Sequence, residues 1–251
     1  MYAYAGGDPI NFNDPEGLSC RDVALEGWAG IKAGTTVGQF LAQNLDLSIF
    51  AETVFAEARI GWDDDAAYEK AAIAATVMNR WKIVNGYYDL YNRPVGSRGA
   101  SRVSGGWGSA DGTIGSIVWA KDQFAVWQSP GHLDSGSQGR LNSALSKSEI
   151  SNDCLSLLQS IGTVAGFWSA RDNHELYASA DGIIFTSFGL STANESYYET
   201  TIGSFGSSNI FFGVFQSQVW LHGVPLPGRP PRPGPIPPRR PPGRRFLGEP
   251  E

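Results

Sequence analysis

The chain has 251 residues, which suits one or two domains, and 41% of them are apolar. Its formal net charge is −6, but the segment from Pro225 onward carries six Arg and two Glu, so the rest of the chain, with 13 basic and 23 acidic residues, has a net charge of about −10. The apolar content excludes global disorder. An acidic body is also a poor ligand for a phosphate backbone, so we expect no nucleic-acid partner.

The first 18 residues, MYAYAGGDPINFNDPEGL, are rich in Gly, Pro, Asn and Asp, which favour tight turns. The stretch has neither a basic start nor an apolar run, so it is not typical of a secretory signal. No run in the chain approaches the ~20 apolar residues of a membrane span. If the protein acts outside the cytoplasm, we expect another component to carry it there.

Three motifs in this stretch resemble the end of the Rhs repeat-associated core: YAY at 2–4, DPI at 8–10 and DPEGL at 14–18. Rhs-family polyproteins form a large shell of β-repeats and release a variable C-terminal toxin after such an element. The resemblance implies a toxin that begins near Ser19, carried by an Rhs shell and its secretion apparatus, with a cognate immunity protein as partner. The alternative is a generic Gly- and Pro-rich lead-in.

The next part of the chain is predicted to be helical. Residues 19–46 are helix-prone, although four glycines weaken the pattern. Residues 47–60 and 65–85 are predicted helices, the second with an N-cap in the run Asp63–Asp65 and a stop at Gly86. The apolar stripe of this second helix comprises Ile73, Val77, Trp81 and Val84.

Residues beyond 86 show weaker patterns. A Gly- and Ser-rich stretch over 96–116 predicts a loop, and 140–162 predicts helix with a break near residues 151–152. Residues 181–215 are aromatic and β-branched with interspersed glycines, which indicates either short strands or loops packed on helices. The end of the chain, with 11 Pro and six Arg from Pro225 onward, predicts an extended polyproline II tail.

The helix predicted over 47–60 carries two acidic residues, Glu52 and Glu57. On a helical wheel of ~100° per residue, Glu57 flanks the apolar stripe, whereas Glu52 falls on the opposite side and is predicted to face solvent. A carboxyl bordered by apolar groups has a raised pKa, which suits a general acid near neutral pH. The alternative for Glu57 is an acid at a helix end that pairs with Arg59 or Arg80.

Other reactive residues give weak signals. Cys20 and Cys154 are too few for a disulfide framework, although one bridge can form in an oxidising compartment. The three histidines lack metal-ligand spacing, so no metal and no cofactor is expected. RDNHE at 171–175 is only superficially nuclease-like, and no Gly-x-Ser-x-Gly motif is present. The histidines are His132, His174 and His222.

Several segments resemble, in the right order, the SleB-type (spore-cortex-lytic) cell wall hydrolases. They are AEAR at 56–59, AAIAATVMNRW at 71–81, GSIVWAKDQFAVW at 115–127 and TTIGSFGSSNIFFG at 200–213. The family implies a lysozyme-like fold and cleavage of the glycan strands of peptidoglycan. Its catalytic acid corresponds to Glu57.

The same resemblance implies substrate contacts by Gln123, Phe124, Trp127 and Asn209. The alternative for Gln123-Phe124 is a buried turn whose amide satisfies the backbone. This chain also departs from the family: its second Glu is replaced in the region 61–63, the turn after Glu57 is longer, and the His of the closing motif is absent. Asp63, Asp64, Asp65 and Asp122 lie in plausible segments for a second carboxylate, although acids beside a helix start are usually caps.

We therefore predict a mainly α fold, α+β and lysozyme-like, with a single catalytic domain over 47–222. Before it lie the Rhs core end (1–18) and a helical lead-in (19–46), and after it the Pro/Arg-rich tail (223–251). The expected function is an antibacterial Rhs-type effector that acts in a target cell's periplasm as a muramidase or lytic transglycosylase. The alternatives are a non-catalytic cell-wall-binding module and an Rhs toxin of another enzymatic class.

Overall fold

The computed structural model of the chain describes residues 19–28, 30–43, 45–103, 106–147, 150–173, 175–190, 199–205 and 208–223. The stretch that resembles the Rhs core end, residue His174 and the tail beyond Gly223 lie outside the described residues. The predictions made for these parts of the chain therefore stay predictions.

Six α-helices and seven β-strands follow one another along the described residues. The helices are α1 (Val37–Ala42), α2 (Asp46–Glu57), α3 (Asp64–Val84), α4 (Gly115–Val118), α5 (Ser135–Ser146) and α6 (Asn152–Ser169). The strands are β1 (Tyr88–Leu90), β2 (Trp127–Ser129), β3 (His132–Leu133), β4 (Ile183–Gly189), β5 (Thr200–Gly203), β6 (Ile210–Phe215) and β7 (Val219–Leu221).

Helix α2 is the buried centre of the domain. Nine of its twelve residues are buried, because apolar and small side chains occupy almost its whole circumference. It packs most extensively against α6, and it also contacts α1, α3, α4 and α5. A helix enclosed in this way holds whatever polar groups it carries in an environment of low water content.

The helices predicted over 47–60 and 65–85 are confirmed as α2 and α3, and neighbouring residues explain where they begin and end. α2 ends at Glu57, earlier than predicted, because Ala58 already has an extended backbone with ψ 155°. α3 lies within one residue of its predicted bounds, and the Asp63 side chain accepts a hydrogen bond from the Ala66 N–H as the N-cap. The prediction that acids before this helix act as caps therefore holds for Asp63.

The lead-in over 19–46 is mostly not helical, which corrects the prediction. Among its described residues only α1, a 3-10 turn at Cys20–Asp22 and the first residue of α2 are helical. Gly27, Gly30 and Gly34 each have φ near +80°, a conformation that ends a right-handed helix. The segment nevertheless belongs to the domain, since its buried side chains join the main hydrophobic core. They are Cys20, Val23, Leu25, Val37 and Phe40.

A disulfide bond attaches this lead-in to the rest of the domain. Cys20 and Cys154 are bonded, and the bridge spans 134 positions of sequence. Both residues have no exposed surface, and Cys154 lies in the first turn of α6. The bridge therefore holds the start of the described chain against the helix that packs most closely on α2.

The aromatic region near the end of the chain forms strands rather than packed loops. β4, β6 and β5 make an antiparallel sheet in that order, and α3 packs on β4. Gly213 of β6 lies so close to β4 that a Cβ atom there would stand 2.2 Å from the Ile184 carbonyl oxygen. Two smaller antiparallel pairs complete the β structure, β2 with β3 and β1 with β7.

The described residues form one mixed α+β domain. The α+β part of the prediction is confirmed, whereas a predominance of helix is not established, because seven strands accompany the six helices. The prediction of a loop over 96–116 is confirmed for its described residues up to the start of α4. The predicted break near residue 151 is also confirmed, since it separates α5 from α6. None of the described helices has the length and apolar character needed to cross a membrane.

Candidate active site

Glu57 is the last residue of α2, and four other parts of the chain meet there. The Val126 backbone, just before β2, hydrogen-bonds the Glu57 carboxyl group. The Asn209 side chain, just before β6, donates to the Glu57 carbonyl oxygen at 3.2 Å. Helix α5 approaches through Arg140, and α3 through Glu69. The end of the central helix is therefore the point at which distant segments converge.

The Glu57 carboxyl group is buried and incompletely hydrogen-bonded. Its Oε1 is inaccessible to solvent, and no group among the described residues donates a hydrogen bond to it. Burial raises its pKa to about 7, the Val126 hydrogen bond lowers it, and the negative charge of Asp134 raises it further. Smaller opposing effects come from Arg80 and Glu69 of α3. The carboxyl group therefore carries its proton in a large fraction of molecules at neutral pH.

The two arginines proposed as ion-pair partners of Glu57 are engaged elsewhere. Arg59 pairs with Asp63 and lies 3.9 Å from Asp65. Arg80 donates to the Thr186 carbonyl oxygen at 2.6 Å and to Gln123 Oε1 at 3.0 Å. The described residues show no ion pair of Glu57. The paired-acid alternative is wrong for Arg59, and the Arg80 charge acts on Glu57 only as a modest effect on its pKa.

Arg140 of α5 caps the C-terminal end of α2. Its guanidinium nitrogens donate to the carbonyl oxygens of Phe55, Ala56 and Ala58 at 3.2–3.4 Å, and its Cζ lies 4.9 Å from the centroid of the Phe55 ring. These carbonyls have no partner within the helix, and a cation there also complements the helix dipole. Arg140 therefore fixes the backbone on both sides of Glu57, a role that the sequence alone did not reveal.

Glu69 and Asn209 form a buried pair beneath the site. The Asn209 side-chain amide donates to Glu69 Oε1 at 2.8 Å, in addition to its bond with the Glu57 backbone. Glu69 Oε2 accepts a hydrogen bond from the Arg59 backbone N–H at 3.0 Å. Asn209 is only 9% exposed, so its amide fixes the end of α2 and the turn that follows. The substrate contact predicted for Asn209 stays a prediction.

Three residues predicted to contact substrate lie on the segment that leads into β2. Trp127 is half-buried, and its Nε1–H donates to Thr53 Oγ1 on α2 at 3.0 Å. Phe124 is only 4% exposed and packs edge-on against Phe188. Gln123 Oε1 accepts from Arg80, and its amide nitrogen donates to a neighbouring backbone carbonyl at 3.3 Å.

The geometry of Gln123 and Phe124 resembles the buried-turn alternative, whereas Trp127 lies beside α2 with part of its ring exposed. The structure thus brings Asn209 to the Glu57 backbone and Trp127 to Thr53, one turn before Glu57 on α2, whereas Gln123 lies beside Arg80. Their sugar contacts stay predictions.

None of the aspartates considered as a second carboxylate has a geometry that favours the role. Asp63 is committed to its cap and to Arg59, and hydrogen bonding from the Ala66 backbone lowers its pKa. Asp64, Asp65 and Asp122 are exposed. The negative side chain that acts most strongly on Glu57 is Asp134, which sequence reasoning missed. The sequence D-S-G-S at the start of α5 indicates that Asp134 is an N-cap, but no nearby residue indicates that it lies close to Glu57.

Glu52 does not face solvent, which corrects the prediction for it. Its side chain is half-buried, and burial raises its pKa to about 7. The helical wheel identified its face correctly as opposite to that of Glu57. It failed because helices pack on both faces of α2, so the face opposite the core stripe is also enclosed.

Replacement of Glu52 by Gln is expected to stabilise the fold above neutral pH. Because its pKa is raised from 4.5 to about 7 on folding, the protonated acid favours the folded state fully below pH 4.5, and this contribution is lost as the pH rises through 7. Glu52→Gln should raise the free energy of unfolding by about 3 kcal/mol at pH 8 and change it little at pH 4. Urea unfolding at both pH values measures this, and an equal effect at both would contradict it.

Metal ligation gains no support from the geometry. Within the described ranges no group of three or more His, Cys, Asp or Glu side chains is arranged to hold a metal ion. His222 Nδ1 lies 3.2 Å from Asp89, whose other oxygen pairs with Arg102, far along the chain from Glu57. This small cluster joins β7 to β1.

Comparisons of the chain with models of protein families, with curated proteins and with solved structures found no match. The resemblances to the Rhs core end and to the SleB-type hydrolases therefore stay predictions from short motifs. The feature of the structure that points most directly to a function is the buried Glu57 carboxyl group, whose pKa is raised to about 7 and whose Oε1 has no hydrogen-bond donor among the described residues.

Proposed function

We propose that the chain is a peptidoglycan-cleaving enzyme of lysozyme-like fold that cuts the glycan strand with Glu57 as its general acid. The supporting observation is the Glu57 carboxyl group, whose buried Oε1 has no donor and whose pKa is raised to about 7. Enzymes raise the pKa of an acid in this way so that it keeps a proton to donate near neutral pH.

The chemistry requires little more than this acid and a bound sugar. Glycosidic cleavage needs a proton delivered to the leaving oxygen while positive charge develops at the anomeric carbon. Glu57 supplies the proton, and its carboxylate then takes one back from the attacking nucleophile. When that nucleophile is water, the product has a reducing muramic acid end. When it is the muramic acid 6-hydroxyl, a 1,6-anhydro end forms, as in a lytic transglycosylase.

The biological setting proposed with this activity comes from the Rhs resemblance. The chain is then an antibacterial effector released from an Rhs carrier, delivered by a secretion apparatus to the periplasm of a rival bacterium and neutralised in producing cells by an immunity protein. The disulfide between Cys20 and Cys154 suits such a destination, because disulfides persist in the bacterial periplasm and are rare in the cytosol.

The test is digestion of purified peptidoglycan by the full chain, followed by mass spectrometry of the released muropeptides. The variants are Glu57→Gln and the matched control Glu52→Gln, since both remove from the same helix a carboxyl group whose pKa burial raises to about 7. We expect the wild type and Glu52→Gln to release muropeptides with new muramic acid ends, and Glu57→Gln to release none.

Three other outcomes overturn the proposal in different ways. Binding to peptidoglycan without cleavage by any of the proteins supports a non-catalytic cell-wall-binding module. Equal cleavage by Glu57→Gln and wild type shows that the catalytic acid is a residue other than Glu57. If none of the proteins binds or cleaves peptidoglycan, the chain belongs to another class of Rhs toxin chemistry.

A further inference from the structure

We propose that Asp134 is the second carboxylate of this site, and that its negative charge stabilises the cation that forms at the anomeric carbon, so that the enzyme hydrolyses the strand with water. The inference rests on the proposed function, and it assigns a role to a residue outside all the sequence motifs. It also selects one of the two products left open above, the reducing muramic acid end.

The backbone connects Asp134 to Glu57 through one residue. The Val126 backbone hydrogen-bonds the Glu57 carboxyl group, and the Val126 carbonyl oxygen accepts a hydrogen bond from the Asp134 N–H at 2.7 Å. The β2–β3 hairpin lies between these two residues, and Trp127 of β2 donates a hydrogen bond to Thr53 of α2, one turn before Glu57.

Helix α5 supplies a second, independent connection. Asp134 is its N-cap, and Arg140 of the same helix donates hydrogen bonds to the carbonyls on either side of Glu57. The position of Asp134 relative to Glu57 is thus fixed from two directions, by Val126 and by Arg140. Fixed charges of this kind are effective in catalysis because they need no reorganisation during the reaction.

Local hydrogen bonds keep Asp134 ionised. Its side chain accepts from Ser137 Oγ at 2.5 Å and from the backbone N–H groups of Gly136 and Ser137 at 2.8 and 3.1 Å. The Ser137 hydroxyl bond contributes most to lowering the Asp134 pKa, and the Arg140 charge adds to it. The pKa values of the two carboxyl groups are thus displaced in opposite directions, upward for Glu57 and downward for Asp134, which suits one as the acid and the other as the anion.

The reaction then balances with water as the only co-substrate. Glu57 transfers its proton to the glycosidic oxygen, and the bond from that oxygen to the anomeric carbon breaks, with the electron pair passing to the leaving oxygen. The positive charge on the anomeric carbon and the ring oxygen is stabilised by Asp134. Water bonds to the anomeric carbon and gives its proton to Glu57, which restores the acid. A carboxylate this heavily hydrogen-bonded is a weak base, so its contribution is electrostatic.

The test is Asp134→Asn in the full chain, because Asn is as good an N-cap as Asp and removes the charge while its amide oxygen can still accept from the backbone N–H groups of Gly136 and Ser137. We expect kcat on purified peptidoglycan to fall roughly 100-fold with little change in KM, and thermal unfolding to be nearly unchanged. The residual activity should decline on the alkaline side at a lower pH than that of wild type. The Asp134 charge raises the Glu57 pKa, so its removal lowers that pKa, while Arg80 still lowers it and Glu69 still raises it. Asp134→Ser, which also preserves a cap, should lose activity in the same way.

The matched control is Asp63→Asn, which makes the same change at the N-cap of α3, an exposed position outside the site, and should leave kcat near that of wild type. A kcat for Asp134→Asn within threefold of wild type makes Asp134 a structural cap and overturns the inference. Wild-type products with only 1,6-anhydro ends also overturn it, while leaving glycan cleavage by Glu57 intact. No cleavage by wild type defeats the proposed function, and this inference with it.

Discussion

Glu57→Gln is expected to abolish glycan cleavage and, in the same protein, to stabilise the fold at alkaline pH. The rate should fall about 1000-fold, because the general acid and the proton acceptor are lost together. The free energy of unfolding at pH 8 should rise by about 3 kcal/mol, since the wild-type protein must hold an ionised, buried carboxylate there. A catalytic acid that destabilises the fold gives lower activity and higher stability when it is replaced, whereas replacement of a structural acid does not give both effects.

The direction of the pH effect follows from the raised pKa of Glu57. Folding raises it from 4.5 to about 7, so the stabilising contribution of the protonated form is complete below pH 4.5 and is lost as the pH rises through 7. Activity that requires the protonated acid should fall over the same upper range. Urea unfolding at pH 4 and pH 8, measured beside the pH profile of cleavage, tests both effects.

Glu52→Gln is the matched control for these measurements. It should show the same gain in stability at pH 8 and keep its activity, because Glu52 lies on the other face of α2. A Glu57→Gln protein that is less stable than wild type at pH 8 would mean that the ionised carboxylate has partners in the folded state. That result would remove the physical basis for assigning Glu57 as the acid.

Loss of the disulfide is expected to have the largest effect on stability. The bridge closes a loop of 134 positions, and restraint of a loop that long in the unfolded chain corresponds to about 3–5 kcal/mol. The double variant Cys20→Ala/Cys154→Ala should therefore unfold roughly 10 °C below the oxidised wild type. Both cysteines are completely buried in the main core, so detachment of the lead-in also exposes apolar surface near α6.

Thermal unfolding followed by circular dichroism, with and without a phosphine reductant, checks this prediction. Reductant should lower the midpoint of the wild type to near that of the double variant and should not affect the double variant. A wild-type midpoint insensitive to reductant, with free thiols demonstrated by labelling in the unfolded state, would show that the bridge contributes little. A protein destabilised by reduction would have its full stability only in an oxidising compartment.

Elements whose signals are local could be predicted from the order of residues. The apolar periodicity of α3, its Asp63 cap and the glycine after it fixed that helix to within a residue. The wheel of α2 likewise placed Glu57 at the border of the core. These features depend on neighbours within about one helical turn, so they can be read from the order of residues alone.

The groups that surround Glu57 and Glu52 could not be predicted, because they come from segments brought together only by folding. Glu52 appeared exposed because the wheel cannot show that other helices pack on its face of α2. Asp134 and Arg140 lie about 80 residues beyond Glu57 in the sequence, and only the β2–β3 hairpin and α5 bring them to the end of α2. Burial, the Val126 backbone hydrogen bond and long-range charge all depend on segments distant in sequence, and together they set the pKa of Glu57.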